Sequence, residues 1–434
     1  MLIIDIPENF IEEKRYVIDF MVGELLGLSY KISVTIGNSY TILLPNSNKI
    51  IIRDDFFRWF PDGLSYLSEN AIPTKTEEMT NEFVVDRDLP VLYGNEEIER
   101  NRNTIYCGAD IFASAFFMLT RWEEAVTERR YPHNRFPGSE SLAYRCGFLS
   151  RPVINEYAEM LGNMMERLEF FWDRGRNRFH IVPTHDVDLF YFPTRCRDFI
   201  ADILKRGKGF LALERLRSKI SGGNPYDTFD QLMKISERAG VESRFYFKAG
   251  GKTSFDNNNY SLGERRIQIL LERIKERGHI IGFHPSYATY NDLRTWGQEK
   301  EALERVANQE VKEGRQHFLR FEVPKTWQIW ESHHMEVDSS MAYSDHEGFR
   351  CGTNNVFRVF DIKERRALNL RERPTVIIDG SLIIYRKLEP GTADQILKEY
   401  KEKCQKYRMP FTVLFHNHFF YDIEGLWELY TKVF

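Results

Sequence analysis

Segments with strand character alternate with segments of helical character along the second half of the chain, from Phe179 onward. Strands that alternate with helices in this way pair in parallel through helical crossovers, and seven or eight such units over about 250 residues favour a closed or nearly closed barrel. We therefore predict an α/β fold for this half. The predicted strands are His180–Asp188, Glu242–Ala249, His279–Pro285, Gln316–Phe321, Val337–Tyr343, Val356–Ile362, Thr375–Ile384 and Phe411–Phe420.

The helix over Ser261–Arg277 has the clearest boundaries of the predicted helices. Ser261 and Glu264 have the spacing of a capping box at its start, and Gly278 stands just past its end. Apolar residues at helical spacing supply its buried face. These residues are Ile267, Leu270, Leu271 and Ile274.

The first half of the chain has a different organisation. Short strand-like stretches alternate with turn residues, and a helix-like segment, Ala109–Ala125, and a long amphipathic helix ending at Gly175 follow. A chain of 434 residues is too long for one typical core. We expect an α+β domain over 1–175 without a ligand cluster, whose job is to cover or position something, and a second domain over 176–434. The strand-like stretches lie at 31–36, 40–44 and 49–52.

Charge and cysteine usage exclude several classes of protein. The net charge of −4 provides no basic field for nucleic acid. The N-terminal residues lack the pattern of a secretory signal, and no window approaches 18 uncharged apolar residues, so we expect no membrane span. The five cysteines are odd in number, widely spaced and without a CxxC pair, which is typical of reduced thiols in a cytoplasmic protein.

Histidines are concentrated in the second half. Ten of the eleven lie between His180 and His418, around a stretch that ends in two aspartates, Thr184-His185-Asp186-Val187-Asp188. Imidazole and carboxylate both bind divalent ions such as zinc and both transfer protons near neutral pH. This combination indicates a candidate metal hydrolase.

The barrel prediction can be tested on the positions of these side chains, because function in such a fold sits at the carboxyl ends of the strands. Asp186 and Asp188 end the first predicted strand, and residues i and i+2 of a strand point to the same side, so both carboxylates can face one ion. Other polar side chains fall on later predicted strands. His284 ends the third strand, His416 and His418 lie in the last, Arg315 and His317 lie at the fourth but nearer its start, and Asp338 and Ser339 lie in the fifth.

The stretch Thr184–Asp188 resembles the first motif of the polysaccharide deacetylase superfamily, the NodB-homology fold of carbohydrate esterase family 4. The resemblance covers roughly Phe179–Phe434 and rests on the order of the motifs as well as on their content. It implies a distorted (β/α) barrel of seven or eight units. It also implies that Asp186 is the general base and that Asp188 is a metal ligand.

The second motif of this family is a histidine, a hydroxyl residue, two more residues and a second histidine. This chain has His284-Pro285-Ser286-Tyr287-Ala288, so His284 is an implied ligand and alanine stands where the second histidine would be. A catalytic zinc normally keeps three protein ligands. Either another residue supplies the third bond, or the metal is weakly held, or the domain has lost activity.

We favour His317 as the substitute ligand, because Arg315-Gln316-His317 occupies the place of the third motif on the neighbouring strand. His185 is a poorer choice because it should point away from the two aspartates, and His279 because it begins its strand at the far end. The resemblance implies that Arg315 holds the base carboxylate through charge-assisted hydrogen bonds.

Two later stretches complete the resemblance. The segment that contains Asp338 and Arg350 resembles the one that follows the third motif, and the resemblance implies that its polar groups line the substrate groove. Leu414-Phe415-His416-Asn417-His418 resembles the final motif. It implies that His416 is the general acid, while His418 contacts the substrate or the ion; strand alternation places both on the same side.

The implied activity is metal-dependent removal of an N-acetyl group from an amino-sugar-containing substrate. Zinc is the first choice for the mixed nitrogen and oxygen ligands, although nickel, cobalt or iron would also fit. A nucleotide-sugar or lipid-linked precursor of a surface polysaccharide suits a cytoplasmic protein. Two alternatives remain open: a hydrolase of another linear or cyclic amide on the same fold, and a non-catalytic sugar-binding or scaffold module with a degraded metal site.

Overall fold

The computed structural model describes residues 1–86, 88–174, 177–193, 223–256 and 259–434. They form two compact units. Unit 1 consists of Met1–His180, Phe318–Ile377 and Glu399–Thr412, and unit 2 consists of Ile181–His317, Ile378–Lys398 and Val413–Phe434. The helix predicted to end at Gly175 is wrong at its end: it spans Val153–Arg167, and Glu169, with φ 63°, cannot continue it. The predicted domain boundary after Gly175 lies outside the described residues.

Seventeen strands and twelve α-helices are described. The strands are β1 Leu2–Pro7, β2 Tyr30–Thr35, β3 Ser39–Leu43, β4 Lys49–Arg53, β5 Glu77–Met79, β6 Leu89–Val91, β7 Gly94–Arg100, β8 Thr104–Ala109, β9 His180–Val187, β10 Arg244–Phe247, β11 Ile280–Phe283, β12 Glu313–Gly314, β13 Val337–Asp338, β14 Phe357–Asp361, β15 Arg366–Glu372, β16 Ile377–Ile378 and β17 Pro410–Leu414. The helices are α1 Ile11–Ile18, α2 Ile111–Thr120, α3 Trp122–Val126, α4 Leu142–Arg145, α5 Val153–Arg167, α6 Phe229–Arg238, α7 Arg265–Glu276, α8 Leu293–Ala307, α9 Lys325–Ser332, α10 Pro390–Lys406, α11 Phe419–Asp422 and α12 Leu426–Thr431.

Unit 1 contains a mixed six-stranded sheet in the order β2-β1-β3-β4-β8-β7. β1 pairs in parallel with β2 and β4 with β8, while the remaining neighbours are antiparallel. One face of this sheet is buried because apolar residues alternate along its strands, as at Ile50 and Ile52. Unit 1 therefore contains both helices and strands, while an α+β domain over 1–175 remains a prediction.

The helix α2 lies in the core of unit 1, and each of its residues is buried. Its first turn is capped by Asp110, whose carboxylate accepts a hydrogen bond from the backbone N–H of Ala113. The predicted helix over Ala109–Ala125 is in fact two helices, because Arg121 has φ 52° and ends α2 before α3 begins. A left-handed residue cannot continue an α-helix.

Unit 2 is built on parallel strands. β10 pairs in parallel with β9 on one side and with β11 on the other. β12 pairs in parallel with the other edge of β11. Helix α7 lies between β10 and β11 in the chain, and α8 lies between β11 and β12. This alternation confirms the mixed α/β fold with parallel strands, while closure of the sheet into a barrel remains a prediction.

Two glycines allow the close approach of these strands. A Cβ at Gly282 would overlap the ring of Tyr246 and the carbonyl oxygen of Glu313, and a Cβ at Gly314 would overlap the carbonyl oxygen of Phe283. Strands β10, β11 and β12 can therefore lie side by side only with glycine at these two positions.

Two strands predicted after β12 differ from the structure. The strand predicted at Gln316–Phe321 is wrong: β12 ends at Gly314 and a 3-10 turn spans His317–Leu319, because Phe318 has φ 59°. The strand predicted at Val337–Tyr343 ends at Asp338, whose carboxylate accepts hydrogen bonds from the backbone and side chain of Ser340 and so forms a turn.

The predicted helix over Ser261–Arg277 begins later than expected, at Arg265, and Glu264 occupies its N-cap. Half of the predicted capping box is present, because the backbone N–H of Ser261 donates to Oε1 of Glu264 at 2.7 Å.

Among the residues that the structure describes, we find no helix with the length and apolar character that crossing a bilayer requires.

The buried imidazole of His185 supports the packing of β9. Its Nδ1 donates to the carbonyl oxygen of Phe415 at 2.9 Å, and its Nε2 accepts from the hydroxyl of Tyr430 at 3.2 Å. The ring also stacks on Phe245. These contacts are on the opposite side of the strand from Asp186, as strand alternation predicts. Burial lowers the pKa of His185 from 6.5 to about 4.

We expect the stability of the protein to fall as pH drops from about 6.5 to about 4, because the unfolded chain takes up a proton at His185 before the folded one does. At roughly 1.4 kcal/mol per pKa unit, this contribution is about 3 kcal/mol. Denaturant unfolding at pH 7 and pH 4 should show that His185→Gln, which cannot ionise, has the smaller pH dependence. Equal pH dependence in both proteins would contradict this assignment.

Candidate metal and acid–base site

The polar side chains of unit 2 gather where its parallel strands end. Asp186 lies near the end of β9 and Asp188 follows it, His284 follows β11, and Arg315 and His317 follow β12. The carboxyl ends of neighbouring parallel strands lie at the same edge of a sheet. Residues distant in sequence are therefore brought together there.

Asp188, His284 and His317 form the centre of this cluster. Oδ1 of Asp188 lies 3.3 Å from Nε2 of His284 and 3.4 Å from Nε2 of His317. One ligand atom from each of the three residues lies within 4.8 Å of the other two. Burial alone would raise the pKa of Asp188, but the charge of His317 and hydrogen bonds from both histidines outweigh it and hold the pKa well below its usual range.

Both histidines present Nε2 to Asp188 because Nδ1 is turned to another acceptor. Nδ1 of His284 donates to the carbonyl oxygen of Arg315 at 2.6 Å, and Nδ1 of His317 lies 3.5 Å from Oδ1 of Asp256. When an imidazole keeps its proton on Nδ1 and releases the one on Nε2, Nε2 can offer its lone pair to a cation in place of the hydrogen bond to Asp188. The two rings are therefore oriented as metal ligands are.

The two separations from Asp188 have the length that a tetrahedral ion requires. Ligand bonds of about 2.0–2.2 Å separate two ligand atoms of a tetrahedral centre by roughly 3.3–3.6 Å. The measured separations from Asp188 of 3.3 and 3.4 Å match this range. Lone pairs that face one another at this distance repel unless a proton or a cation lies between them. The donor set therefore fits a divalent ion with two nitrogen ligands and one oxygen ligand.

Asp186 lies beside this centre and is held by Arg315. Nη1 of Arg315 donates to Oδ1 of Asp186 at 2.8 Å, while Nη2 donates to the hydroxyl of Thr184 at 2.9 Å. All three residues are buried. The second carboxylate oxygen of Asp186 is directed toward the centre, 3.7 Å from Nε2 of His284. This arrangement fixes the carboxylate of Asp186 next to the ligand atoms.

His416 lies on another side of the centre, with its Nε2 3.7 Å from Oδ2 of Asp188. Asp379 holds it twice: one carboxylate oxygen accepts from Nδ1 at 2.8 Å, and the other accepts from the backbone N–H at 2.6 Å. Burial would lower the pKa of His416, but the charge and hydrogen bond of Asp379 outweigh burial and raise the pKa to about 9. The imidazole is therefore protonated at neutral pH.

His418 is close to His416 but differs in charge. The two ring centroids are 5.8 Å apart. Burial, followed by the charge of His416, lowers the pKa of His418 to about 3, so its imidazole is neutral. The prediction that strand alternation aligns these two histidines is wrong, because β17 ends at Leu414 and His418 occupies the N-cap of α11.

Two predicted substrate-binding residues lie in unit 1. The guanidinium of Arg350 pairs with both carboxylate oxygens of Glu124 and donates to the carbonyl oxygen of Ala342. The carboxylate of Asp338 accepts from Ser340, as described above. Both residues are buried and belong to unit 1. Their part in substrate binding remains a prediction.

Sequence reasoning missed three polar residues of this cluster: Asp256, Lys248 and Asp379. Asp379 directly follows the short strand β16, so the rule that functional residues end strands could have identified it. Lys248 directly follows β10 in the same way. Asp256 lies in a loop between β10 and α7, where no periodic pattern marks a side chain as buried or functional.

The chain is similar to one protein family model and to a set of solved structures. Residues 2–169 match a family of unknown function, DUF7033. No curated protein sequence matches the chain. The matching solved structures include a "putative polysaccharide deacetylase" from Mycobacterium smegmatis, at 15% identity and a TM-score of 0.37 over 61% of this chain and 84% of that one.

A second match is the polysaccharide deacetylase Bc1974 from Bacillus cereus, at 11% identity and a TM-score of 0.30. It covers 59% of this chain and 86% of that one. Sequence identities and TM-scores this low assign no chemistry to this chain.

Proposed function

We propose that the protein is a metal-dependent amide hydrolase that removes an N-acetyl group from an amino-sugar-containing substrate. One observation carries this proposal: two further groups lie next to the candidate ligands Asp188, His284 and His317. One is the carboxylate of Asp186, which Arg315 holds, and the other is the protonated imidazole of His416, which Asp379 holds. A hydrolase needs a proton acceptor for water and a proton donor for the leaving group, and this arrangement supplies both.

Asp186 is the proposed general base. Its carboxylate is buried and fixed by Arg315, so it is oriented toward the ligand atoms without having to reorganise during the reaction. It takes a proton from the attacking water through the oxygen that Arg315 does not hold. Arg315 and the hydroxyl of Thr184 act as positioning groups in this scheme.

Asp188, His284 and His317 are the proposed ligands, with zinc as the first choice. A divalent ion held there supplies Lewis acidity, which polarises an amide carbonyl and makes a water molecule more acidic. The carbonyl oxygen of Arg315, which accepts from Nδ1 of His284, would leave Nε2 of that ring free to bind such an ion.

His416 is the proposed general acid. Because Asp379 keeps its imidazole protonated, Nε2 carries a proton that it can transfer to the leaving nitrogen of the sugar. The neutral His418 beside it is available for a hydrogen bond to the substrate. The N-acetylated amino sugar, in a surface-polysaccharide precursor, is proposed from the motif resemblance of the sequence.

Removal of the metal is expected to abolish activity reversibly. Protein purified without added metal should contain about one divalent ion per chain, release acetate from N-acetylhexosamine compounds such as nucleotide sugars, and stop doing so after treatment with a chelator. Zinc should restore the rate. Acetate release and metal content measured on the same samples test this, with cyclic amides as the competing substrates.

The outcomes separate the alternatives. Turnover of cyclic amides with no acetate release would favour another amidase on the same fold. Protein that binds no metal in any preparation and turns over no substrate would contradict the proposed function and favour a sugar-binding or scaffold module.

A further inference from the structure

We propose that Asp256 is a positioning residue that makes His317 a metal ligand. The inference rests on the metal site of the proposed function and adds a residue that none of the sequence motifs contains. It explains how a histidine outside the usual second motif can serve as the third ligand in this chain.

His317 lies between two carboxylates, one on each ring nitrogen. Nε2 faces Oδ1 of Asp188 at 3.4 Å, and Nδ1 faces Oδ1 of Asp256 at 3.5 Å. Both His317 and Asp256 are buried, at 2% and 1% exposure, so water does not screen this pair. The Nδ1–Oδ1 contact is an electrostatic one at 3.5 Å, longer than the hydrogen bond that His284 makes to the carbonyl oxygen of Arg315. The charge of the Asp256 carboxylate favours a proton on Nδ1, and so leaves Nε2 as the nitrogen for a metal ion.

His317 and His284 have different groups on Nδ1. His284 directly follows β11 and has the carbonyl oxygen of Arg315 on its Nδ1. His317 lies in a 3-10 turn after β12 has ended, and the carboxylate of Asp256 faces its Nδ1. A carboxylate from another loop therefore takes the part that a backbone carbonyl takes for His284.

The loop around Asp256 fixes its carboxylate for this purpose. Oδ1 accepts from the backbone N–H of Tyr287 at 2.7 Å, and Oδ2 accepts from the backbone N–H and the hydroxyl of Thr253 at 2.9 and 2.7 Å. Nζ of Lys248 donates to the carbonyl oxygen of Asp256. A Cβ at Gly251, which has φ 107°, would overlap the carboxylate, so glycine is required there.

The test is the affinity of the full-length chain for Zn²⁺ and Co²⁺, measured by competition with a chromophoric chelator. We expect Asp256→Asn to weaken both by roughly ten- to a hundredfold. The visible spectrum of the Co²⁺ protein should change as well, because it responds to ligand orientation. Wild-type affinity together with a wild-type spectrum in Asp256→Asn would overturn the proposal.

Asp292→Asn is the matched control. Asp292 makes the same kind of contacts, with the backbone N–H and hydroxyl of Thr295, but it caps α8 and touches none of the ligands. Its substitution should lower stability without changing metal affinity. Equal losses of affinity in Asp256→Asn and Asp292→Asn would show that the effect is structural, and would count against the proposal.

A double-mutant cycle shows whether Asp256 acts through His317. The substitution should have no further effect on metal affinity in a His317→Ala background, whereas independent effects would multiply and contradict the proposal. If Asp256→Asn fails to fold, Thr253→Val, which removes one hydrogen bond to the same carboxylate, serves in the cycle with a loss of a few fold expected.

Failure of this inference is distinguishable from failure of the proposed function. If the wild type binds no metal, the metal site itself is wrong and so is the inference. If the wild type binds metal and His317→Ala weakens binding while Asp256→Asn does not, only the role of Asp256 is wrong.

Discussion

Asp186→Asn should lower kcat by about a hundredfold or more while the protein keeps its metal. Asparagine has the shape of aspartate, so the side chain still fills the space beside Arg315, but it cannot accept a proton from water. The three candidate ligands are unchanged, so one divalent ion per chain should still bind. Acetate release measured at saturating substrate, together with metal analysis of the same protein, checks both parts.

Two comparisons make this result specific to the base. Asp292→Asn, a substitution of the same chemistry at a helix cap of unit 2, should leave kcat within a few fold of the wild type. Circular dichroism should confirm that Asp186→Asn is folded, because the substitution leaves the buried guanidinium of Arg315 without its ion pair. A folded Asp186→Asn protein with near-normal kcat would remove Asp186 from the role of base.

His284→Ala and His317→Ala should each lower metal affinity by more than about a hundredfold, and activity should be lost with the metal. Loss of a direct ligand is expected to exceed the ten- to hundredfold effect typical of groups that only support ligands. Two remaining ligands are fewer than the three that catalytic zinc sites use. Equilibrium dialysis against buffered zinc measures the affinity of each variant.

His279→Ala is the matched histidine control for these variants. His279 lies in the same unit, but its Nδ1 accepts from the backbone N–H of Ser243 and it is not among the three candidate ligands. It should bind zinc as the wild type does. Full metal occupancy in His317→Ala, with loss in His284→Ala, would mean that the third ligand is another residue or a water molecule.

The proximity of the residues at the centre of the candidate site could be predicted from the sequence because two simple rules apply there. Asp186 and Asp188 are two residues apart at the end of a strand, and His284 ends a parallel strand of the same sheet, so their proximity follows from strand geometry. The place of His317 in the order of motifs predicts it as the third ligand. The structure brings Asp188, His284 and His317 within 4.8 Å of one another.

The supporting residues could not be predicted because loops and turns decide their positions. Asp256 reaches His317 through a loop with two adjacent glycines, and strand and helix periodicities do not extend into such segments. The positive φ of Phe318 ends the expected fourth strand and could not be inferred from a phenylalanine. Strand alternation predicts that His416 and His418 lie on the same side of a strand. They lie near one another because of a turn after β17 instead.

Unit 1 is built from three separate segments of the chain, so a single cut cannot release it as an intact fragment. The ring of Phe360, from the second segment, packs on Tyr16 and Phe116 of the first, and the hydroxyl of Tyr16 donates to the carbonyl oxygen of Arg358. A fragment cut near residue 176 would carry Phe360 without these partners and expose an apolar surface that favours self-association. Point substitutions in the undivided polypeptide are therefore the sound route to assigning its chemistry.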